Sequence, residues 1–463
     1  MALFHCSLLS CYAFFVLALS LLQSPLVHGR ETESRHVVSV RSLLPGSVCS
    51  SPRDSNPFML KVVHRHGPCS PLTPGQKPDY TELLSQDQAR VNWLHHWIST
   101  SSNQKSTRAS LAANIPASSG GSIGTGNYVV NVGFGTPTKE FTVVFDTGSD
   151  LTWIQCSPCR SCYPQQQQLF DPSRSSTYSN ISCNSPKCSQ LDSSSCLAGR
   201  CRYEVDYGDK SQSEGFFGSD TLTLTPSDVL PNFLFGCGDQ NKGLFGQAAG
   251  LLGLGRQPVS LVSQLKSKYG GVFSYCLPST SSSSGYLKLG GGAPSNVNFT
   301  PMRASSSQPS FYFLDLVAIE VGGKQLPISQ TVFSNAGTLL DSGTVITRLP
   351  PSAYAALRSR FRQLMTMYKM APPQSILDTC YDFTGNDTVS VPTVALVFGG
   401  GATLNVDFTG ILYVFNMSQA CLAFAGNDDA SDVGIIGNVQ QKRFDVVYDI
   451  TNSRIGFGAN GCS

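Results

Sequence analysis

The chain has no histidine after residue 110, although it is 463 residues long. All seven histidines precede that point: His5, His28, His36, His64, His66, His95 and His96. Residues 110–463 therefore cannot support Ser-His or Cys-His catalysis, and they cannot supply a histidine-ligated metal. Carboxylates remain as the catalytic groups, and we expect neither a metal nor another cofactor.

Charged residues are also scarce, at 13% of the chain, whereas glycine, serine and threonine are plentiful. This composition favours an all-β body, and the length is sufficient for two or three domains. Residues 30–108 contain ten Lys or Arg and six Asp or Glu, whereas residues 110–463 contain 22 and 24. A segment of about +4 thus precedes a body of about −2, which argues against strong binding of nucleic acid.

One long stretch of the chain is largely apolar, from Leu8 to Leu22, and it is interrupted only by Ser and Cys. Small residues precede position 30 at Val27 and Gly29, a spacing that suits signal-peptide cleavage. We predict that residues 1–29 are a signal peptide. A membrane anchor is the alternative, because the run is near the lower length limit for a spanning helix.

One short motif occurs twice, as Asp-Thr-Gly-Ser at 146–149 and as Asp-Ser-Gly-Thr at 341–344. An apolar run precedes each copy, which predicts a strand that delivers its carboxylate to a tight turn. If two related lobes bring Asp146 and Asp341 together, both carboxyls cannot ionise easily. One then keeps its proton, and the pair forms a general acid beside a general base.

A second motif also recurs, as Gly-Leu-Leu-Gly at 250–253 and Gly-Ile-Ile-Gly at 434–437. It follows each aspartate at a similar distance. Each half therefore contains the same two motifs in the same order, which makes four matched elements in all. Together they resemble the pepsin-like aspartic proteases. The resemblance implies an all-β, bilobal fold with an active-site cleft between two related lobes, and it places the second motif beneath each active-site turn.

The resemblance also implies roles for named residues. Asp146 and Asp341 would be the catalytic pair of an endopeptidase that hydrolyses peptide bonds without a covalent intermediate. The residues that would support them are Thr147, Gly148, Ser149, Ser342, Gly343 and Thr344. Thr147 and Ser342 would bond across the lobes, and Ser149 and Thr344 would bond the outer carboxylate oxygens. Tyr207 would be the flap tyrosine with Trp153 as its partner, and Lys210 departs from the usual flap glycine.

Twelve of the sixteen cysteines follow residue 110, a number that suits six disulfides in an oxidising compartment. A zinc site at Cys156, Cys159 and Cys162 is the alternative. The cluster resembles the cysteine-rich insertion of nepenthesin-type plant enzymes. That resemblance implies the pairs Cys156–Cys159, Cys162–Cys237, Cys183–Cys201, Cys188–Cys196, Cys276–Cys462 and Cys380–Cys421. Four sequons predict glycosylation, at Asn180, Asn298, Asn386 and Asn416.

We interpret residues 30–115 as a propeptide that inhibits its own chain, with an ordinary N-terminal subdomain as the alternative. A helix is predicted from Asp79 through Leu94, followed by a polar processing region at 99–106. Charging of the propeptide histidines should release it on acidification. Residues 116–295 and 296–463 would form the N-terminal and C-terminal lobes.

The leading hypothesis is a secreted, monomeric aspartic endopeptidase of the plant apoplast that is made as a zymogen and acts on proteins. Vacuole and plastid are alternative locations. One competing function is a non-catalytic binding protein on the same fold, like plant inhibitors of carbohydrate-degrading enzymes, although both motifs here are intact. Another is a plastid nucleic-acid-binding protease, but residues 1–29 lack the pattern of a transit peptide.

Overall fold

The computed structural model describes residues 33–44, 46–50, 59–72, 79–103, 128–207, 211–243, 245–280, 282–292, 294–305, 308–335 and 337–462. The predicted signal peptide, residues 104–106 of the predicted processing region and Lys210 lie outside these ranges. From Arg35 onward the described residues form one compact unit with an all-β, bilobal fold.

The N-terminal lobe is a closed ring of strands. Its alternating apolar segments bury Phe, Val and Leu side chains inside the ring. Around the ring the order is β3, β4, β11, β5, β10 and β9, and β9 returns to pair with β3. The strands of this lobe are β3 (Tyr128–Phe134), β4 (Lys139–Asp146), β5 (Trp153–Gln155), β6 (Ser179–Asn180), β7 (Ser194–Leu197), β8 (Arg200–Asp206), β9 (Gln212–Thr225), β10 (Asp228–Lys242), β11 (Gly250–Gly253), β12 (Val272–Cys276) and β13 (Ser284–Leu289).

Two strands from the segment before residue 70 join the sheets of the lobes. They are β1 (Arg35–Ser39) and β2 (Leu60–His64). Strand β2 lies between β13 and β3. Strand β1 pairs antiparallel with β22 (Thr388–Pro392) of the C-terminal lobe.

The C-terminal lobe contains a ladder through β14, β15, β18, β28, β19 and β27, and two four-stranded sheets. Asp315 separates β15 (Phe313–Leu314) from β16 (Leu316–Val321). The remaining strands are β14 (Val297–Arg303), β15 (Phe313–Leu314), β16 (Leu316–Val321), β17 (Lys324–Gln325), β18 (Thr338–Leu340), β19 (Thr347–Leu349), β20 (Lys369–Ala371), β21 (Cys380–Asp382), β23 (Val394–Phe398), β24 (Thr403–Asn405), β25 (Leu412–Asn416), β26 (Gln419–Leu422), β27 (Phe424–Gly426), β28 (Gly434–Ile436), β29 (Asp445–Asp449) and β30 (Arg454–Gly458).

Only two helices of the described residues exceed one turn. The helices are α1 (Val40–Leu43), α2 (Tyr80–Asn103), α3 (Leu261–Gln264), α4 (Lys266–Tyr269), α5 (Thr331–Ser334), α6 (Pro351–Leu364) and α7 (Phe408–Ile411). Helix α2 begins at the predicted position, where the Asp79 carboxylate accepts hydrogen bonds from the amides of Thr81 and Glu82. It continues to Asn103, beyond the predicted end. Within the described ranges no helix has the length and apolarity to cross a bilayer.

The disulfides correct four of the implied pairings. The structure contains Cys156–Cys237, Cys159–Cys162, Cys183–Cys196 and Cys188–Cys201. Burial gives the physical reason, because each bond joins cysteines at similar depth. Cys156 and Cys237 are both buried, as are Cys188 and Cys201, whereas the other four are partly or fully exposed.

Three other bonds complete the set of described disulfides. The implied Cys276–Cys462 and Cys380–Cys421 bonds are present, and a further bond, Cys49–Cys69, lies in the segment before residue 110. Disulfide sulfurs are not thiolates, so the zinc alternative at Cys156, Cys159 and Cys162 is wrong. Among the sequons, Asn180, Asn298 and Asn416 are exposed and Asn386 is half-buried.

Candidate active site

Asp146 and Asp341 each stand at the end of a strand that pairs in parallel with the second repeated motif. Strand β4 runs beside β11, with Asp146 opposite Gly253. In the other lobe β18 runs beside β28, and the amide of Asp341 donates to the Ile436 carbonyl at 3.1 Å. The apolar residues of the second motif therefore support the two turns from below, in the same way in each lobe.

The turns are linked by reciprocal hydrogen bonds between Thr147 and Ser342. The Thr147 amide donates to Ser342 Oγ at 3.1 Å, and the Ser342 amide donates to Thr147 Oγ1 at 2.9 Å. Both side chains are buried. Because bonds in a water-excluded site are costly to lose, this exchange fixes one turn relative to the other.

The two carboxylates have different outer contacts. Thr344 Oγ1 donates to Asp341 Oδ2 at 2.6 Å, whereas Ser149 Oγ and Asp146 Oδ2 do not reach hydrogen-bond geometry, although Ser149 lies near enough to lower the pKa of Asp146. Both of those atoms are buried and lack a hydrogen-bond partner within the described part of the chain. The expected symmetric pair of outer bonds is thus present in one lobe only.

The guanidinium of Arg90, on helix α2, lies between the two carboxylates. Its Nη2 donates to Asp146 Oδ1 at 2.8 Å and to Asp341 Oδ1 at 3.0 Å, while Nε donates to Asp341 Oδ2 at 3.0 Å. The aspartate side chains are 2% and 0% exposed, so these ion pairs are almost completely removed from water. A planar cation with several fixed donors is well suited to bridge two carboxylates.

Glycine in both motifs permits this close approach. A Cβ at Gly148 would come 2.5 Å from Arg90 Nη2, and a Cβ at Gly343 would also overlap the guanidinium. The amides of the same glycines donate to Asp146 Oδ1 at 3.0 Å and to Asp341 Oδ1 at 3.1 Å. A side chain at either glycine would occupy the space that the guanidinium now fills between the two carboxylates.

Burial and charge push the carboxyl pKa values in opposite directions. Burial raises the pKa of Asp146 above its ordinary value, and the nearby Asp341 carboxylate adds to the increase against the pull of Arg90. Burial also opposes ionisation of Asp341, but Arg90, Thr344 and the Gly343 amide outweigh it and hold that pKa below its ordinary value. The arrangement favours one protonated and one ionised carboxyl.

Helix α2 is held by apolar contacts on both sides of Arg90. Leu84 packs into a cluster with Val345 and Ile346, whereas Val91 and Leu94 pack against a second cluster. The lobe residues of that second cluster are Phe311, Phe313, Leu339, Val433 and Ile435. Further along, His95 Nδ1 lies 3.3 Å from the Asp432 carboxylate.

A second buried ion pair anchors the helix one turn before Arg90. The carboxylate of Asp87 accepts hydrogen bonds from the amides of Val345, at 2.6 Å, and Ile346, at 3.1 Å. It also lies 3.0 Å from Arg348 Nη2, and the two side chains are 0% and 1% exposed. Helix α2 therefore covers the entrance to both aspartates through one cationic and one anionic contact.

The predicted flap forms an antiparallel hairpin of β8 and β9. Tyr207 follows β8, and its hydroxyl accepts a 2.7 Å hydrogen bond from Trp153 Nε1. Both rings are buried and contact Phe245. The described residues contain no group of three or more His, Cys, Asp or Glu side chains that could hold a metal ion.

Sequence reasoning missed Arg90, Asp87 and Arg348. The signal was present on helix α2, where Leu84, Asp87, Val91 and Leu94 share a spacing of three and four residues. Asp87 therefore occupies a position on the apolar face, and a charge there requires a partner. The helix pattern was recognised, but its buried charges were not.

Comparisons with known proteins place the chain in a family. Residues 128–291 match the family model described as xylanase inhibitor N-terminal, and residues 311–459 match xylanase inhibitor C-terminal. The chain is 48% identical to the Arabidopsis thaliana aspartyl protease AED1, with 92% of each chain covered. It is 38% identical to aspartic proteinase nepenthesin-2 of Nepenthes gracilis, covering 73% of this chain and 78% of the relative.

Solved structures share the fold at lower sequence identity. The soybean basic 7S globulin aligns with a TM-score of 0.59 at 24% identity, covering 72% of this chain and 91% of the globulin. The structure named edgp aligns with the same TM-score at 19% identity, with the same coverage. The two motifs, the bilobal fold and the extent of these sequence matches together show that the chain belongs to the pepsin-like aspartic proteases of plants.

Proposed function

We propose that the chain is a secreted aspartic endopeptidase that is made as a zymogen, with Asp146 and Asp341 as its catalytic residues. The observation that carries the proposal is Arg90, which bridges both carboxylates from a helix that precedes the two lobes. While the guanidinium lies there, neither a water molecule nor a peptide carbonyl can reach both carboxyls. Removal of the propeptide, residues 30–115, would open the site.

In the opened site the pair acts as one acid–base unit. The ionised carboxyl removes a proton from a bound water as the oxygen attacks the peptide carbonyl, and the protonated carboxyl donates to the carbonyl oxygen. Proton transfer to the peptide nitrogen then allows the C–N bond to break. The bonds between Thr147 and Ser342 would keep the two carboxyls aligned, and Tyr207 would cover the substrate from the flap.

Acidification is the proposed trigger. Burial holds the pKa of His64 well below its ordinary value, and burial with the charge of Arg65 lowers the pKa of His66 to about 3. A histidine with a lowered pKa stabilises the bound propeptide above about pH 6.5 and loses that contribution as the pH falls toward the lowered value. Protonation of the aspartates weakens the Arg90 contacts as well.

The proposed setting is the apoplast, with vacuole or plastid as alternatives, and the proposed substrates are proteins. The disulfides and exposed sequons support an oxidising, extracellular compartment. We propose a monomer that needs no cofactor. A non-catalytic binding protein is the second candidate, because the matched family models are described as inhibitor domains. Intact aspartates in both motifs favour catalysis.

Hydrolysis of an unfolded protein by the acid-processed chain tests the proposal. We expect activity below about pH 5 that pepstatin abolishes. The variants Asp146→Asn and Asp341→Asn, expressed as full chains and freed of propeptide by an added protease, should be inactive. A folded, processed wild-type chain without activity would refute the endopeptidase and favour the binding protein.

A further inference from the structure

Arg348 belongs to the C-terminal lobe, yet its ion-pair partner comes from the segment that would be removed. The guanidinium is buried and contacts Asp87 through Nη2, and the same Nη2 donates to Gln88 Oε1 at 3.2 Å. Within the lobe itself, Nη1 donates to the Ile346 carbonyl at 2.7 Å. Its Nε is buried and has no hydrogen-bond partner in the described ranges.

The backbone beside Arg348 is arranged for the same anion. Two successive amides, of Val345 and Ile346, each donate to one oxygen of the Asp87 carboxylate. Both amides lie on a segment fixed at its ends, because the Asn438 and Val439 amides donate to the Thr344 and Val345 carbonyls. Loss of Asp87 would leave two aligned donors and a cation with their polar groups unsatisfied, which is costly in a buried site.

We propose that removal of the propeptide exposes a carboxylate-binding subsite, formed by Arg348 and the amides of Val345 and Ile346, that selects an acidic side chain in the substrate. This inference rests on the proposed function, because the subsite becomes available only when helix α2 leaves. Asp87 then serves as a bound mimic of the substrate carboxylate.

The geometry gives the distance of this subsite from the cleaved bond. Asp87 and Arg90 are three residues apart on one helix, a rise of about 4.5 Å, and the long arginine side chain extends the separation further. An extended substrate advances about 3.3 Å per residue. The acidic residue should therefore lie roughly two or three positions from the scissile bond. Val345 also directly follows Thr344, which contacts Asp341.

Other charged groups near Arg348 do not replace the lost partner directly. Burial lowers the pKa of Arg348, while Asp87 and, more weakly, Asp428 favour its charged form. His95 also lies within electrostatic range, and it would leave with the propeptide. Asp428 remains in the lobe without a direct contact to the guanidinium among the described ion pairs, so the subsite keeps its positive charge.

Paired peptides test the subsite on the processed wild-type chain. Peptides that differ only by Glu or Gln at each position from four before to three after the scissile bond are compared by kcat/KM at about pH 4.8, which is within the expected range of activity and above the ordinary pKa of Glu. We expect Glu to be preferred by about tenfold to a hundredfold at one position, two or three residues from the cleavage point. The preference should begin to fall as the pH drops through about 4.3, the ordinary pKa of Glu, and should be lost by about pH 2 to 3, where the bound carboxyl is also protonated.

Two variants test whether the Glu preference depends on Arg348. Asp87→Asn with Arg348→Gln keeps a neutral contact in the pro-form and should abolish the Glu preference, so that kcat/KM for each Glu peptide falls to that of its Gln partner. Arg174→Gln, a surface change at a side chain that is 74% exposed, is the matched control and should leave the preference intact. Equal kcat/KM for Glu and Gln at every position, with efficient cleavage, would overturn the subsite and leave the endopeptidase standing.

If no peptide is cleaved, a binding experiment distinguishes failure of the proposed subsite from failure of the proposed endopeptidase. Uncleavable peptides with a reduced scissile bond, carrying Glu or Gln, are titrated into the processed chain. Tighter binding of the Glu peptide, lost with Arg348→Gln, would support the subsite even if the endopeptidase failed. Equal binding by the two peptides would refute it.

Discussion

Replacing Arg90 should convert the segment that covers the cleft from a strong inhibitor into a weak one. The perturbation is made in synthetic peptides of residues 79–103, added to the processed chain. The wild-type guanidinium forms three charge-assisted hydrogen bonds to the two carboxylates, at 2.8 to 3.0 Å, in a site almost free of water. Breaking a buried ion pair of this kind costs about 3–5 kcal/mol.

Such a loss corresponds to a rise in inhibition constant of about two to three and a half orders of magnitude for Arg90→Gln. Arg90→Lys keeps the charge but loses the planar fork, so we expect an intermediate loss of about tenfold. Every peptide must order the same helix, and that cost cancels in the comparison. Ser85→Ala, at an exposed position of the same helix, is the control.

The assay is inhibition of peptide hydrolysis at pH 5, measured with each peptide in turn. Inhibition constants for the Arg90→Gln and wild-type peptides that agree within about threefold would refute the reasoning, because they would mean that the guanidinium contributes little to occupancy of the cleft. Equal weakening by Ser85→Ala would show that the loss is not specific to the ion pair, because alanine favours the helix more than serine does.

Three further predictions concern the full chain. His66→Gln should move the acid release of the propeptide to lower pH by roughly half a unit to one unit, because the neutral amide cannot gain charge; His96→Gln is the control, and an unmoved pH profile for His66→Gln would contradict the trigger. Asp87→Ala should destabilise the pro-form by about 3–5 kcal/mol in urea unfolding at pH 7, because it leaves a buried arginine unpaired, and a loss below about 1 kcal/mol would contradict the buried pair. Mass spectrometry of unreduced peptides should recover Cys188 bonded to Cys201. A bond from either residue to Cys183 or Cys196 would contradict the structure.

The positions of the two aspartates could be predicted because their surroundings are local. A strand and a tight turn are encoded within a few residues of Asp146 and Asp341, and the Gly-containing strand that supports each turn is marked by a repeated motif, with Gly253 107 residues after Asp146 and Gly437 96 residues after Asp341. The disulfides could not be derived in the same way, since their partners depend on which cysteines reach the same depth after folding. Cys188 and Cys201, for example, differ from their neighbours in burial rather than in spacing.

The contacts of helix α2 could not be predicted from the sequence near the helix, because the partners of its charged residues are distant in the chain. The sequence predicted the helix and the basic character of its segment, but Arg90 contacts Asp341, from which it is separated by 251 positions in the sequence. In a sequence, a buried charged residue is visible only as an interruption of the apolar face of a helix. Asp87 is such an interruption, and its partner Arg348 has no distinguishing pattern of its own.

The most direct test of the central claim is the peptidase activity of the intact chain before and after acid exposure, with the first residue of the product determined at each time. The account predicts no activity while helix α2 is attached, and activity that rises in step with removal of the segment that carries Arg90. An intact chain that is already fully active at neutral pH would contradict the account, as would activity that rises with the segment still bound.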